Sequence, residues 1–249
     1  MSEQVVVLRD VREGVLEIRM EDRVNRNTFS TELAHGLIDA FRSVSERPEY
    51  KVIILTGYDS YFASGGTKEG LLMLSAGKGK FTDRDFYSLA LRCPIPVIAA
   101  MQGHGIGGGF ALGMFADFPI LSRESVYTTN FMKYGFTPGM GATFILPKKL
   151  GVSLAEEMMM VARTYRGEEL QRRGIPFPVL PRAQVMEYAV ELAATIAEKP
   201  RISLVTLKDH LVGPLRAGLP AVIEQELVMH EKTFHRPEVK GLIESLFGN

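Results

Sequence analysis

The chain has 249 residues, and its 29 Lys+Arg balance its 29 Asp+Glu, so the formal net charge is +0. Hydrophobic residues make up 46% and charged residues 23%, which is typical of a globular protein and excludes an intrinsically disordered one. The length suits one large domain, or one domain with an appendage. The balanced charge argues against nucleic acid as the main partner, because phosphate binding needs a basic face.

Cys93 is the only cysteine, which excludes an internal disulfide and a Cys-cluster metal site. No histidine and carboxylate stand at a metal-ligand spacing such as H-E-x-x-H, so we predict no metal. The N-terminus has early acids and lacks the long apolar run of a signal peptide. No stretch approaches the roughly 18 apolar residues of a spanning helix. We therefore expect a soluble, cytoplasmic protein with no membrane partner.

The first half of the chain alternates apolar segments with helical patterns, which is typical of an α/β fold. Residues 5–8 and 15–20 predict two strands of a hairpin around Glu13-Gly14. Ser30 is a predicted N-cap of a helix with a periodic apolar face. Short apolar runs predict two strands buried on both faces, at residues 52–55 and 96–101, and a third strand at residues 118–121.

The region between the first two of these buried strands is less regular. We predict a loop over residues 57–66 and a mobile surface loop over 71–85, since that segment contains Gly77 and Gly79. Residues 85–91 predict a short helix.

Helical periodicity dominates after Pro147. It is found over residues 154–162, 183–198, 203–211 and 220–234. We therefore divide the chain into a core, residues 1–195, and a C-terminal helical region, residues 196–249. Such a region packs on its own core or on a neighbouring subunit, and composition does not decide between the two.

A glycine-rich segment, Gly103-His-Gly-Ile-Gly-Gly-Gly109, lies between a predicted strand and a predicted helix. Its G-x-G-x-x-G pattern allows a dinucleotide site, with Glu124 as the acid that binds the ribose. The short helix that follows weakens this interpretation. The alternatives are a backbone anion hole for a thioester carbonyl, or close helix–sheet packing.

A second segment, Phe62-Ala-Ser-Gly-Gly-Thr67, favours the anion hole. The two segments resemble the signatures F-x-A-G-x-D and N-G-x-x-x-G-G-G of the crotonase (enoyl-CoA hydratase/isomerase) superfamily. Residues 26–29 and 135–142 are similar to two further motifs of that superfamily. The resemblance implies an α/β fold, a crotonase-like spiral of ββα repeats. It also implies that the backbone N–H groups of Gly66 and Gly108 form the oxyanion hole.

Three positions depart from the family pattern. Ala111 and Phe131 replace the two glutamates with which the hydratases activate water, and Thr67 replaces an aspartate. Neither alanine nor phenylalanine can move a proton, which argues against hydration. Decarboxylation needs the oxyanion hole but no carboxylate base, and a carboxylate in the pocket would repel an anionic substrate.

A closer resemblance supports decarboxylation. Residues 58–70, 95–110, 131–150 and 224–234 are similar to the second crotonase-like protein, a decarboxylase, of polyketide β-branching (HMG-synthase) cassettes. The resemblance implies conversion of a 3-methylglutaconyl thioester on an acyl carrier protein to the 3-methylcrotonyl thioester, with Lys80 and His230 as the catalytic pair. It also implies no cofactor beyond the phosphopantetheine or coenzyme A of the substrate. A homotrimer or a dimer of trimers is the implied assembly.

Each of these residues also has a simpler interpretation. A lysine in a polar loop, such as Lys80, is commonly just solvated. His230 shares a helical face with Ile223, Leu227 and Phe234, so it can equally be a core or interface histidine. Which of the two residues donates a proton, and whether the α or the γ carbon receives it, stays open.

Two functional alternatives remain within the fold. One is an enoyl thioester double-bond isomerase, and the other is a non-catalytic scaffold that has lost the acids. Six basic residues are candidate contacts for a phosphopantetheine arm or an acidic carrier protein, although a solvated face explains them equally well: Arg42, Arg47, Lys148, Lys149, Arg172 and Arg173.

Overall fold

The computed structural model describes residues 4–247, which form two β-sheets and ten α-helices. The strands are β1 (Val6–Arg12), β2 (Val15–Met20), β3 (Val52–Thr56), β4 (Tyr61–Ala63), β5 (Val97–Met101), β6 (His104–Ile106), β7 (Phe118–Ser122), β8 (Val126–Thr128), β9 (Thr164–Arg166) and β10 (Val179–Leu180). The helices are α1 (Thr31–Ser45), α2 (Lys68–Ser75), α3 (Leu89–Arg92), α4 (Gly108–Met114), α5 (Ala142–Leu150), α6 (Val152–Val161), α7 (Gly167–Arg172), α8 (Arg182–Ala197), α9 (Arg201–Thr233) and α10 (Pro237–Leu246). Two short 3-10 turns span Phe81–Asp83 and Met132–Tyr134.

The larger sheet has the strand order β1-β2-β3-β5-β7-β10. The hairpin of β1 and β2 is antiparallel, as predicted, and β2, β3, β5, β7 and β10 are parallel. Every residue of β3 and β5 is buried, which confirms that these strands are covered on both faces. One face packs on α8, and the other faces the main hydrophobic core.

The smaller sheet has the order β4-β6-β8-β9, and β4, β6 and β8 are parallel. The predicted loop over residues 57–66 therefore contains a strand, β4, which is too short to produce a periodic pattern. The chain passes very close to itself here, because a Cβ at Gly109 would lie 2.1 Å from the carbonyl oxygen of Ala63. Only glycine fits at that position.

The prediction of a mobile loop over residues 71–85 is wrong for its first part, which belongs to α2. Thr67 caps this helix, because its Oγ1 accepts a hydrogen bond of 3.0 Å from Gly70 N. Thr67, which stands where the family has an aspartate, therefore serves as the N-cap of α2. The glycines that suggested a loop come only after α2 has ended, and the predicted helix over 85–91 is reduced to α3.

The C-terminal region is helical, as predicted, but residues 203–211 and 220–234 belong to one helix. Pro214 and Pro220 lie inside α9 without ending it. Each proline removes one backbone hydrogen bond. Burial of Val212 and Leu219 against the core holds the helix together across that region. None of the helices within residues 4–247 is both long enough and apolar enough to cross a bilayer.

Candidate active site

A cavity of about 990 Å³ opens beside the ends of β4 and β6. Its walls combine glycine backbone, aromatic rings and, at the mouth, charged side chains. The aromatic residues that line it are Phe29, Tyr61, Phe81, Phe86, Phe131, Tyr134, Phe136, Phe234 and Phe247. Such a mostly apolar cleft with a few convergent polar groups is the usual form of a small-molecule site.

The backbone side of the cavity contains both predicted oxyanion glycines. The parallel strands β4 and β6 end at the same edge, so the loops that follow them meet there. A Cβ at Gly65 would lie only 3.5 Å from Gly108 N. Gly66 and Gly108 both line the cavity, and within residues 4–247 neither of their N–H groups has a hydrogen-bond acceptor. Both are therefore free to bind an oxygen atom in the cavity.

Gly108 is tightly enclosed. A Cβ at this position would lie 2.9 Å from Phe29 Cε2 and 3.0 Å from Met140 Sδ. Met140 itself has a φ of 60° in the left-handed region. The position of the Gly108 N–H is thus determined by the packing of two separate segments around it.

Lys80 lies at the mouth of the cavity, on the exposed loop between α2 and the 3-10 turn. Its backbone N–H donates a hydrogen bond of 2.8 Å to Asp83 Oδ2, which fixes the main chain there. Its ammonium group forms no ion pair with any residue that the structure describes. The charge is therefore available to an anionic ligand.

His230 reaches the same cavity from α9. Its ring lies among three aromatic rings, with centroid distances of 4.8 Å to Phe81, 5.0 Å to Phe234 and 6.2 Å to Phe136. This confirms the predicted apolar face. Within the described part of the chain, the buried Nε2 atom has no hydrogen-bond partner.

Burial of the His230 imidazole lowers its pKa to about 4, an effect that the backbone groups of Thr137 and Pro138 offset only in part. The free protein therefore holds this histidine in its neutral form at neutral pH. Because Phe81 follows Lys80 directly and contacts the His230 ring, the lysine loop and α9 meet at the cavity.

The two positions of the missing glutamates differ in their surroundings. Phe131 lines the cavity and packs edge-on against Phe136, with centroids 6.1 Å apart. Ala111 is fully buried one turn after Gly108 on α4, and it is not among the residues that line the cavity. Neither position offers a carboxylate.

The basic residues at the mouth are not those suggested by the sequence. None of the six candidates lines the cavity, and the ammonium of Lys149 donates to the carbonyl oxygens of Ala116, at 2.7 Å, and Asp117, at 3.2 Å. Besides Lys80, the cations of the lining are Arg26, Lys68, Lys78 and Arg84. The family motifs could have identified two of them, since Arg26 is the first residue of the motif at residues 26–29 and Lys68 directly follows the motif at residues 62–67.

The dinucleotide interpretation does not fit this geometry. Gly105 lies within β6, and a Cβ at Gly103 would lie 2.4 Å from the backbone of Tyr61, so these glycines serve close strand packing. Glu124 accepts hydrogen bonds from Ser122 Oγ, at 2.8 Å, and Arg182 N, at 2.9 Å, which ties it to the end of β7 and the start of α8. Residues 4–247 contain no cluster of three or more His, Cys, Asp or Glu side chains suited to a metal ion.

Comparison with known proteins agrees with this fold and site. The family model for enoyl-CoA hydratase/isomerase matches residues 10–247. The chain therefore belongs to this family, within the crotonase superfamily, and its predicted α/β crotonase fold is confirmed. Carnitinyl-CoA dehydratase of Salmonella typhi is 31% identical over 216 residues, which are 84% of this chain and 80% of that protein.

Other relatives are decarboxylases. The bacillaene synthase decarboxylase PksI of Bacillus subtilis (strain 168) is 65% identical over 249 residues, which are 100% of both chains. A solved structure from a dehydratase/decarboxylase enzyme couple involved in polyketide β-branching has a TM-score of 0.98 and 65% identity, and the match covers 98% of this chain and 100% of that one. The decarboxylase domain ECH2 of CurF from Lyngbya majuscula has a TM-score of 0.95 at 48% identity, with 98% and 100% covered. The chain is thus a member of the decarboxylase branch of the superfamily.

Proposed function

We propose that this protein decarboxylates a 3-methylglutaconyl thioester, carried on an acyl carrier protein, to the 3-methylcrotonyl thioester. The observation that carries the proposal is the convergence of Lys80 and His230 on a cavity that also exposes the N–H groups of Gly66 and Gly108. No carboxylate occupies position 111 or 131. The site therefore offers groups for charge stabilisation and proton transfer, and the two positions of the family's water-activating glutamates offer no carboxylate.

The oxyanion hole is the first part of the mechanism. The thioester carbonyl oxygen would accept hydrogen bonds from Gly66 N and Gly108 N. When the C–CO₂ bond breaks, its electron pair moves into the conjugated system, and negative charge develops on that oxygen. One such preorganised donor is typically worth about 3 to 4 kcal/mol in the transition state.

Lys80 would bind the carboxylate that departs. An ammonium group at the mouth of an apolar cavity attracts the anion from water and orients it toward the wall formed by Phe81 and His230. The basic rim formed by Arg26, Lys68, Lys78 and Arg84 suits the phosphate of a phosphopantetheine arm and the acidic surface of a carrier protein. No cofactor is needed beyond that arm or coenzyme A.

His230 would return a proton to carbon. Its neutral state in the free protein makes it a poor acid, but an anionic substrate in the same apolar cavity would raise the pKa of the imidazole. The imidazolium then gives its proton to the γ carbon of the dienolate, which yields the 3-methylcrotonyl thioester, and it regains one from solvent. The net reaction consumes one proton and releases one CO₂.

A homotrimer, or a dimer of trimers, is the assembly that we propose. Several large apolar side chains are exposed on α6 and α9, and a partner subunit would cover them. They are Val152, Met160, Val161, Ile202, Leu207, Leu211 and Val228. Sedimentation equilibrium measures the assembly directly, and a monomer at micromolar concentration would contradict this part of the proposal.

Mass spectrometry of a 3-methylglutaconyl carrier protein tests the activity. We expect the wild-type protein to reduce the substrate mass by that of one CO₂, and Lys80→Ala and His230→Ala to slow this loss by about 100-fold or more. Matched controls are Lys232→Ala and His210→Ala, which remove an exposed lysine and an exposed histidine from α9.

Other outcomes separate the alternatives. A gain of one water would mean that hydration proceeds without the family glutamates, and it would refute the argument from Ala111 and Phe131. An unchanged mass with a shifted double bond would identify an isomerase instead. Full activity of both alanine variants would refute the roles of Lys80 and His230.

A further inference from the structure

Glu226 lies on α9, one turn before His230. Glu226 is fully buried, with 0% of its surface exposed. Its Oε2 accepts a hydrogen bond from Gly141 N at 2.7 Å, and its Oε1 accepts bonds from Thr143 N at 3.0 Å and Thr143 Oγ1 at 2.6 Å. No arginine, lysine or histidine of residues 4–247 forms an ion pair with it. The carboxylate is thus held entirely by the segment that precedes and begins α5.

The segment that Glu226 holds, Gly139–Thr143, lies between His230 and Gly108. At its start, a Cβ at Gly139 would lie 2.8 Å from His230 Nε2. One residue later, Met140 Sδ is 3.0 Å from the Cβ position of Gly108. The same short segment therefore contacts the imidazole on one side and the oxyanion glycine on the other.

The first part of this segment, Gly139–Gly141, lies before α5 and does not hold its shape through regular secondary structure. Met140 and Gly141 both have left-handed φ angles, of 60° and 71°. For a residue with a side chain, such as Met140, that conformation costs about 1 to 2 kcal/mol. Three hydrogen bonds to one buried carboxylate are the polar interactions that tie this turn to α9.

Burial of a carboxylate is costly even when it is hydrogen-bonded, and burial raises the pKa of Glu226 despite its three donors. A well-packed apolar residue at this position would often serve stability as well. What the carboxylate adds is direction, because its two oxygens fix Gly141 N and Thr143 N in one arrangement relative to α9.

We propose that Glu226 is a positioning residue, which sets the spacing between the His230 imidazole and the Gly108 N–H by holding the Gly139–Thr143 segment against α9. Only the kinetic test of this inference rests on the proposed function. Glu226 itself touches no substrate, since it is not among the residues that line the cavity. Its effect passes through Gly139 to His230 and through Met140 to Gly108.

Glu226→Gln tests this role with little change in size. The amide oxygen can replace one of the two carboxylate oxygens as an acceptor, but the NH₂ group at the other position would face a backbone N–H donor, so the segment must shift. We expect kcat to fall by about 10- to 100-fold while KM changes by less than about threefold, because binding at the mouth is unaffected. Thr143→Val should give a smaller loss, and Thr143→Ser, which keeps the hydroxyl, should retain the wild-type rate.

A double-variant comparison distinguishes positioning from general destabilisation. In a His230→Ala background, Glu226→Gln should cost clearly less than in the wild-type protein, since one of the two groups it positions is already gone and only its effect on Gly108 remains. Full additivity of the two substitutions would overturn the proposal. So would a wild-type kcat in both Glu226→Gln and Thr143→Val. If Glu226→Gln does not fold, Thr143→Val and Thr143→Ser alone decide the question.

An NMR measurement needs no substrate and therefore separates this inference from the proposed function. The ring resonances of His230 should shift in Glu226→Gln, because the contact with Gly139 changes, while those of exposed His210 stay in place. Unchanged His230 resonances would refute the positioning role. A shift in a protein that releases no CO₂ would support it and refute only the assigned reaction.

Discussion

Gly108 and Lys80 line the same cavity, but they belong to very different surroundings. Gly108 is buried between Phe29 and Met140 at the end of a short parallel strand. Lys80 is exposed on a loop, and its partner across the cavity, His230, comes from a helix near the end of the chain. One half of the site is backbone enclosed by the core, and the other half consists of side chains that separate segments bring together.

The difference follows from what each half must do. An oxyanion hole acts only when its donors are already in place, so it benefits from a rigid frame. The lysine must meet a charged substrate that arrives from water, so it benefits from exposure. His230 is a side chain, like Lys80, but it is held rigidly, because it lies on a long helix and is enclosed by aromatic rings. Three substitutions test the comparison.

The largest effect is expected from Gly108→Ala in the backbone half. The added methyl group would meet Phe29 Cε2 and Met140 Sδ, so the N–H must move away from the oxyanion position. We expect kcat/KM to fall by about 100- to 1,000-fold, the usual loss when one oxyanion donor is removed. The control is Gly213→Ala in α9, where a Cβ meets nothing within 4 Å. Equal activities of the two variants would refute the oxyanion role of Gly108.

A smaller effect is expected from Gly139→Ala in the side-chain half. The methyl group would overlap His230 Nε2 at 2.8 Å and would also press on Phe81 Cε1 at 3.1 Å. Both rings can shift, so we expect a loss of about 10-fold in kcat and a decrease in stability of about 1 to 3 kcal/mol. Steady-state kinetics and thermal denaturation check the two values. A kcat at the wild-type level would show that His230 need not occupy the observed position.

The third effect is absent at neutral pH and concerns stability at acidic pH. Folding lowers the pKa of His230 from 6.5 to about 4. Between these two pH values the unfolded chain therefore binds a proton that the folded chain does not bind. The contribution of the neutral His230 to the free energy of unfolding should therefore be fully present above about pH 6.5, and the free energy of unfolding should decrease by about 3 kcal/mol as the pH falls to 4.

Urea denaturation at several pH values, with His230→Leu as the comparison, measures this contribution. The variant lacks the titrating group, so its stability should decline less over the same range. Parallel curves for the two proteins would indicate that the His230 imidazole is accessible to water and that the two halves of the site do not differ in the way described.

The sequence by itself determined the parts of this protein that depend on local pattern. A single sequence is enough to predict the buried strands β3 and β5, the Ser30 cap of α1 and the two glycine motifs. Periodicity, capping and glycine spacing each act over only a few residues. The missing acids are equally visible in the sequence, since neither Ala111 nor Phe131 can itself transfer a proton, whatever the fold.

Only the tertiary structure decided how the segments meet. The continuity of α9 through Pro214 and Pro220 depends on burial against the core, which no local rule predicts. The bond between Glu226 and the Gly139–Thr143 segment likewise joins residues that are far apart in the chain. Periodicity places a residue on a face of its own helix, but long-range packing determines what that face meets.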